Sequence, residues 1–253
     1  MSGPVEVEIV TLPTGTLRLL TLSRPAVRNA MDTGLLVALS DALHDADADP
    51  DLRGLLVAGA DGTFSAGADV RESLTDGGRR RMELFTGVYE QLSLFRAPTA
   101  AAVEGYAVGG GAEVAAACDL RVAAEDAVFR FPGAIHGVPV GTARTVGQVG
   151  LSVAKDWVLS SRDVTAAEAL AAGFVQRLVP PGETAAAARA WLTQVADRDA
   201  DTVALLKRFF NDHGGLRNRV AYENDALRAH AETGGLPPGL DRDLPRTVRP
   251  RRV

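Results

Sequence analysis

Three consecutive glycines, Gly109 to Gly111, stand between an apolar run and an alanine-rich segment in the stretch AVEGYAVGGGAEVAAACDL, residues 102–120. The apolar run predicts a buried strand and the alanines predict a helix, which together indicate a strand–loop–helix unit of an α/β fold. Glycine has no Cβ, so backbone N–H groups of this loop are open to a ligand, and the helix N-terminus adds partial positive charge. The stretch therefore predicts a site that stabilises an anion. Glu113 lies in the first turn, where the helix dipole alone would also favour an acid.

The anion is not expected to be a phosphate. No Lys-Ser or Lys-Thr step follows the glycines, and their spacing is not that of a dinucleotide-binding loop. A second glycine-rich loop, FSAGAD at residues 64–69, also follows an apolar run, GLLVAGA at residues 54–60. Amides from two such loops can converge on a carbonyl oxygen that becomes negative during a reaction. The two loops therefore favour an oxyanion hole, although each loop alone is also compatible with an ordinary tight turn.

Elsewhere the chain alternates between strand and helix patterns. VEVEIV and TLRLLTL predict a hairpin, and apolar spacing predicts helices over 33–47 and 71–95. Thr165 and Glu168 form a capping box before a short helix that Gly173 ends. The pattern is mixed up to residue 180 and helical from 182 to about 232, which suggests a core domain over 1–181 and a helical region with an Arg/Pro-rich tail over 182–253. The tail, GGLPPGLDRDLPRTVRPRRV, is expected to be an extended arm.

Composition excludes several classes of protein. A net charge of −5 over 253 residues gives no electrostatic footprint for nucleic acid. The single cysteine, Cys118, rules out a disulfide within the chain and is expected to be a packed core thiol. The first residues lack a basic and apolar secretory pattern, and Glu104 and Glu113 interrupt the most apolar stretch. We therefore expect a cytoplasmic protein with no membrane partner.

Four separated motifs resemble, in family order, the enoyl-CoA hydratase/isomerase (crotonase) superfamily. They are LSRPAVRNAMD at 22–32, FSAGAD, GYAVGGGAEVAAACDL at 105–120 and VLSSRDVTAAEALAAGFVQRLV at 158–179. The resemblance covers roughly residues 5–180. It implies a crotonase-like spiral of ββα units with a C-terminal helical region that builds a homotrimer or a dimer of trimers. It also implies an acyl-CoA thioester substrate, with coenzyme A arriving as part of the substrate, no separate cofactor and no metal.

The resemblance assigns roles to particular residues. The oxyanion-hole amides fall on Ala68 and Gly110, and Glu113 falls on one of the two acids that activate water in the hydratases. Arg28 and Arg71 are favoured for the CoA phosphates or ribose. Asp69 is also readily interpreted as a helix N-cap, and Tyr106 as an aromatic packing residue. The residues that the motifs assign to substrate and CoA binding are Arg24, Ala26, Arg28, Ser65, Ala66, Ala68, Asp69, Val70, Arg71, Tyr106, Gly109, Gly110 and Gly133.

The sequence departs from the family pattern at the second acid. Gly133, in FPGAIHG, stands where the hydratases have a glutamate, and the segment GVPVGTARTVGQVG that follows is about three residues short. His136 is the nearest group that can exchange protons near neutral pH, although it is also interpretable as a structural histidine. The segment LRAHAETGGLPPGLDRDLP departs as well, which affects contacts to CoA from a neighbouring subunit.

Three functions remain open from the sequence. The first is a hydratase-like lyase that adds water to a 2-enoyl-CoA through Glu113. The second keeps the fold and the oxyanion hole but is an isomerase, decarboxylase or hydrolase on another acyl-CoA, as the loss of an acid at Gly133 suggests. The third is a non-catalytic acyl-CoA binder.

Overall fold

The computed structural model describes residues 3–234. The predicted C-terminal arm lies outside these residues, apart from Gly234 at the end of the last helix. The strands are β1 Val5–Leu12, β2 Gly15–Leu22, β3 Leu52–Gly59, β4 Thr99–Val103, β5 Tyr106–Val108, β6 Leu120–Ala124, β7 Val128–Arg130, β8 Val164–Thr165 and β9 Arg177–Val179. The helices are α1 Thr33–Asp47, α2 Arg79–Ser93, α3 Gly110–Ala117, α4 Thr142–Ser160, α5 Ala166–Ala171, α6 Thr184–Ala196, α7 Ala200–His213 and α8 Leu216–Gly234.

Two sheets organise the chain. The larger has the strand order β1-β2-β3-β4-β6-β9, in which β1 and β2 form the predicted antiparallel hairpin and all later pairs are parallel. The smaller has the order β5-β7-β8. Strand β4 lies in the large sheet, β5 after it lies in the small sheet, and helix α3 follows. In the same way, β6 lies in the large sheet, β7 lies in the small sheet, and helix α4 comes next among the α-helices. This ββα succession agrees with the expected spiral.

Helices cover both faces of the large sheet. Leucines of α1 and aromatic side chains of α2 form one hydrophobic core with α3 and α4. On the other face, Ala188 and Leu192 of α6 pack against Leu17, Leu56 and Val122. Strands β4 and β6 are buried at every position, as expected for strands with apolar residues on both sides. The first helix of the C-terminal region therefore packs directly on the core sheet.

Two helix predictions differ from the structure. Helix α2 begins at Arg79 and not near residue 71, because Gly77 and Gly78 adopt positive φ of 68° and 85° and interrupt the helix. Asp69 is consequently not a helix N-cap. The sequence LSVAKDWVLS, residues 151–160, predicts a helix, whereas α4 begins earlier, at Thr142, and contains a non-helical residue at Gly150.

No helix of residues 3–234 has the length and hydropathy needed to cross a bilayer. Cys118 is a buried free thiol, and burial raises its pKa to about 12, as expected for a core cysteine. The capping box before α5 is confirmed in part, since the Thr165 hydroxyl accepts a hydrogen bond from the Glu168 amide at 3.2 Å.

Candidate active site

Main-chain hydrogen bonds join three of the predicted motifs at one place. Ser65 donates to the Tyr106 carbonyl at 2.9 Å and accepts from the Val108 amide at 3.0 Å, which ties the loop 64–69 to β5. Met31, from the first motif, donates to the Gly67 carbonyl at 2.7 Å and accepts from the Asp69 amide at 2.9 Å. The three loops therefore form one continuous backbone surface in front of α3.

Glycines allow the two glycine-rich loops to approach at backbone distance. A Cβ on Gly67 would lie 2.5 Å from the Val108 carbonyl oxygen and 3.2 Å from the Gly110 nitrogen. Gly67 also has φ of 89°, which favours glycine. A Cβ on Gly111 would lie 2.6 Å from the Ser65 carbonyl oxygen. Side chains at these positions would push the loops apart.

Two backbone amides at this junction have no acceptor among residues 3–234. Neither the Ala68 nor the Gly110 N–H donates a hydrogen bond there, whereas the amides of their neighbours Gly67, Asp69 and Gly109 all do. The first N–H of a helix is commonly free, which accounts for Gly110, but Ala68 lies in a loop. The two amides that the sequence singled out are thus both open donors.

Glu113 lies one turn into α3 and is 1% exposed. Its Oε2 accepts a hydrogen bond from Arg144 Nε at 2.7 Å, and its Oε1 accepts none from the described residues. Burial raises the pKa of Glu113 to about 7, with Arg144 acting to lower it and Glu223 to raise it. Near neutral pH the carboxyl group therefore populates both protonation states, which suits a group that takes up and returns a proton.

Arg144 of α4 and Glu223 of α8 complete the surroundings of Glu113, and the sequence had indicated neither. Arg144 also bonds Glu223 through Nη2, and its guanidinium carbon lies 4.7 Å from the centre of the Tyr89 ring. Burial acts to lower the pKa of Arg144, but the two carboxylates outweigh it and raise that pKa. Charged side chains are rarely fully buried unless paired. Nothing local in the sequence marks these residues as a pair, because they are far apart in the chain.

Gly133 lies in a short 3₁₀ turn, Pro132–Ala134, and the chain folds back over it. The Val138 amide donates to the Gly133 carbonyl at 2.8 Å. A Cβ on Gly133 would lie 2.6 Å from the Val138 carbonyl oxygen and 3.0 Å from Val140 Cγ1. The loop that follows thus fills the space next to Gly133 with its own backbone.

His136 is half-buried in the same loop. The charged residue that acts on it is Arg130, whereas Arg144 and Glu223 act on Glu113. Burial, followed by the positive charge of Arg130, lowers its pKa. Arg130 itself donates to the Ser161 carbonyl at 2.7 Å. No hydrogen bond or ion pair joins His136 to Glu113 in the described structure.

Some of the predicted CoA-contacting side chains form ion pairs within the chain, and others are exposed and form none among the described residues. Arg24 forms ion pairs of 2.9 Å with both Asp32 and Asp69, and the Asp69 carboxylate also accepts from the Arg71 amide at 3.0 Å. The Arg28 and Arg71 side chains are exposed and form no ion pair within residues 3–234.

The other predicted binding residues differ in how far they are exposed. Ala26 is exposed, and Ala66, Val70, Tyr106 and Gly109 are half-buried. Ser65 is buried, and its hydroxyl donates to the Asn29 carbonyl at 2.7 Å. No group of three or more His, Cys, Asp or Glu side chains suited to a metal occurs in the described part of the chain.

Comparison with known proteins agrees with this fold and motif order. The sequence profile described as Enoyl-CoA hydratase/isomerase matches residues 14–233. The probable enoyl-CoA hydratase echA8 of Mycobacterium tuberculosis is 34% identical over 239 residues, covering 90% of this chain and 92% of the relative. Short-chain-enoyl-CoA hydratase of Clostridium acetobutylicum is 31% identical over 222 residues, covering 84% and 85%. The crystal structure of a monofunctional enoyl CoA isomerase from M. smegmatis superposes with a TM-score of 0.72 at 30% identity, covering 85% and 94%. The chain belongs to the enoyl-CoA hydratase/isomerase family, within the crotonase superfamily.

Proposed function

We propose that the protein adds water to a 2-enoyl-CoA thioester and that Glu113 is its single proton-transfer group. The observation that carries the proposal is a buried carboxyl group, with a pKa of about 7, one helical turn from the open Gly110 amide. The Ala68 and Gly110 amides bind the thioester oxygen. Exposed Arg28 and Arg71 bind phosphate or ribose oxygens of CoA, for which a guanidinium is well suited. The reaction needs no cofactor beyond the CoA of the substrate.

One carboxylate suffices for both proton transfers. Ionised Glu113 takes a proton from water while the water oxygen bonds to the β-carbon. The π electrons of the double bond move to the thioester oxygen, and the resulting enolate is stabilised by the two amides. The enolate then re-forms the carbonyl, and the α-carbon takes the proton from Glu113. Water is added across the double bond, and Glu113 returns to its ionised form.

A second candidate is isomerisation of a 3-enoyl-CoA, and the filled space at Gly133 favours it. With one acid, Glu113 would remove a proton from the α-carbon, generate a dienolate whose oxygen is stabilised by the same two amides, and deliver the proton to the γ-carbon. This reaction needs no water in the site. The similarity to a monofunctional isomerase structure is compatible with it.

Incubation with short and medium enoyl-CoAs distinguishes these reactions. Hydration removes the absorbance of the conjugated thioester, whereas isomerisation of a 3-enoyl-CoA creates it. We expect hydration that Glu113→Gln abolishes. Conversion of 3-enoyl-CoA without hydration would favour the isomerase. Deuterium exchange at the α-carbon without either conversion would favour a decarboxylase or hydrolase. Tight acyl-CoA binding with no turnover and no exchange would show a non-catalytic binder.

We further propose that the protein forms a homotrimer, or a dimer of trimers, through α7. No residue of α7 is buried within the chain, and four large apolar side chains on one face of it are exposed. They are Leu205, Leu206, Phe209 and Phe210. Contiguous apolar surface of this kind commonly marks an interface between proteins. Sedimentation equilibrium tests the oligomeric state, and a monomer at all concentrations would contradict it. Cytoplasmic localisation also remains a proposal.

A further inference from the structure

Three helices contribute one buried row of charges. Glu113 comes from α3, Arg144 from α4 and Glu223 from α8. Arg144 donates through Nε to Glu113 and through Nη2 to Glu223, so the guanidinium bridges the two carboxylates. The three side chains are 2%, 0% and 4% exposed, respectively. Water therefore provides little screening of the charges in this row.

The far end of the row is fixed to the start of α4. Glu223 Oε2 accepts hydrogen bonds from the Thr142 amide and hydroxyl, both at 2.7 Å, and from the Ala143 amide at 2.9 Å. Its Oε1 is then aimed at Arg144. With the Tyr89 ring on one face, the guanidinium is constrained from three directions. One oxygen of Glu113 is thereby held, and the other, Oε1, accepts no hydrogen bond from the described residues.

We propose that Arg144 and Glu223 are positioning residues that set the orientation and the charge of Glu113, so that the C-terminal helix α8 is a functional part of the active site. The proposal rests on the proposed function in assigning proton transfer to Glu113. Neither residue needs to touch the substrate. Arg144 holds the carboxylate that reacts, and Glu223 holds Arg144 and opposes its charge.

The two residues act on Glu113 with opposite sign. The groups whose charges face Glu113 are Arg144 from α4 and Glu223 from α8, and the Tyr89 phenol from α2 lies close enough for Glu113 to raise its pKa. A positive neighbour favours the ionised carboxylate, and a negative one disfavours it. Removing the charge of Glu223 should therefore lower the pKa of Glu113, and loosening Arg144 should raise it.

The decisive variant is Glu223→Gln, which keeps an oxygen that can accept from Thr142 and Ala143. Its amide nitrogen takes the place of Oε1, so Arg144 keeps Glu113 as its carboxylate partner and is no longer opposed by a second negative charge. The Glu113 carboxyl signal is followed by ¹³C NMR in substrate-free protein labelled at glutamate, and it is identified by its absence from Glu113→Gln. We expect the titration midpoint of Glu113 to fall by about one pH unit in this variant. Asp225→Asn is the matched control, because Asp225 is an exposed carboxylate on the same helix. It should leave the midpoint unchanged.

Arg144→Lys is the second variant. It keeps the positive charge but lacks the planar guanidinium that bonds both carboxylates. We expect the Glu113 midpoint to rise, and kcat to fall at least about tenfold with KM within about twofold. If Glu223→Gln does not fold, Arg144→Lys alone decides. The proposal would be overturned if the titration midpoint of Glu113 did not move, or if it moved in the same direction in both variants. An equal movement of that midpoint in Asp225→Asn would also overturn it. The NMR titration needs no substrate, so a protein inactive on every enoyl-CoA would refute the proposed function and leave the charge coupling measurable.

Discussion

Restoring the missing acid by Gly133→Glu should fail to improve hydration and should destabilise the protein. The new Cβ would lie 2.6 Å from the Val138 carbonyl oxygen and 3.1 Å from that of Val140, both backbone atoms of the folded-back loop. Overpacking of this kind costs about 1–3 kcal/mol. Moving Val138 would also break its 2.8 Å hydrogen bond to Gly133, which adds about 1 kcal/mol. The expected loss is about 2–4 kcal/mol in the free energy of unfolding, or about 4–16 °C in Tm.

Thermal unfolding and the hydration assay measure the two parts of this prediction. Gly133→Ala isolates the Cβ and should account for most of the loss in stability. Ala134→Glu is the matched control, because Ala134 is the next residue in the chain and is exposed. It should melt within about 2 °C of the parent protein. A Gly133→Glu protein as stable as the parent and faster in hydration would refute the reasoning, since the site would then lack only a carboxylate.

Four further outcomes follow from the site and from α7. Glu113→Gln should lower turnover by about 10²–10⁴-fold while acyl-CoA binding by calorimetry persists, and unchanged turnover would exclude Glu113 as the proton-transfer group. Because the proposed base is the ionised form of Glu113, the parent rate should fall as pH drops through about 7, and a flat profile across that range would contradict this. His136→Gln should cost less than about tenfold in rate, and a larger loss would make His136 catalytic. Phe210→Asp, at a side chain 74% exposed, should dissociate the oligomer without unfolding the chain, as read by sedimentation and circular dichroism.

Local signals explain what the sequence could predict. The strand–glycine–helix pattern predicted the loop before α3, and the apolar run and glycines predicted the loop 64–69. Alternation predicted the hairpin of β1 and β2. These features depend on residues that are adjacent in the chain. The start of α2 was missed, because apolar spacing continues into residues whose backbone is set by Gly77 and Gly78.

Features that depend on contacts between distant segments could not be predicted from the sequence. Arg144 is 31 residues from Glu113 and 79 from Glu223, and no local pattern specifies a pair over such separations. Position 133 also depends on distant contacts. The family resemblance predicts an acid where this sequence has Gly133, but only the path of Val138 to Val140 shows that the space beside Gly133 is occupied.

The contacts of Glu223 have a consequence for how the protein is made. Translation produces the chain from the N-terminus, so both glycine-rich loops and Glu113 are synthesised long before α8. Until α8 docks, the first turn of α4 lacks the carboxylate that accepts its amides, and Arg144 has only one of its two partners. Until then no second carboxylate opposes Arg144, so in a nascent chain the pKa of Glu113 lies below its value in the finished protein. The proposed proton-transfer group reaches its final pKa only when the last helix docks, after both glycine-rich loops have been made.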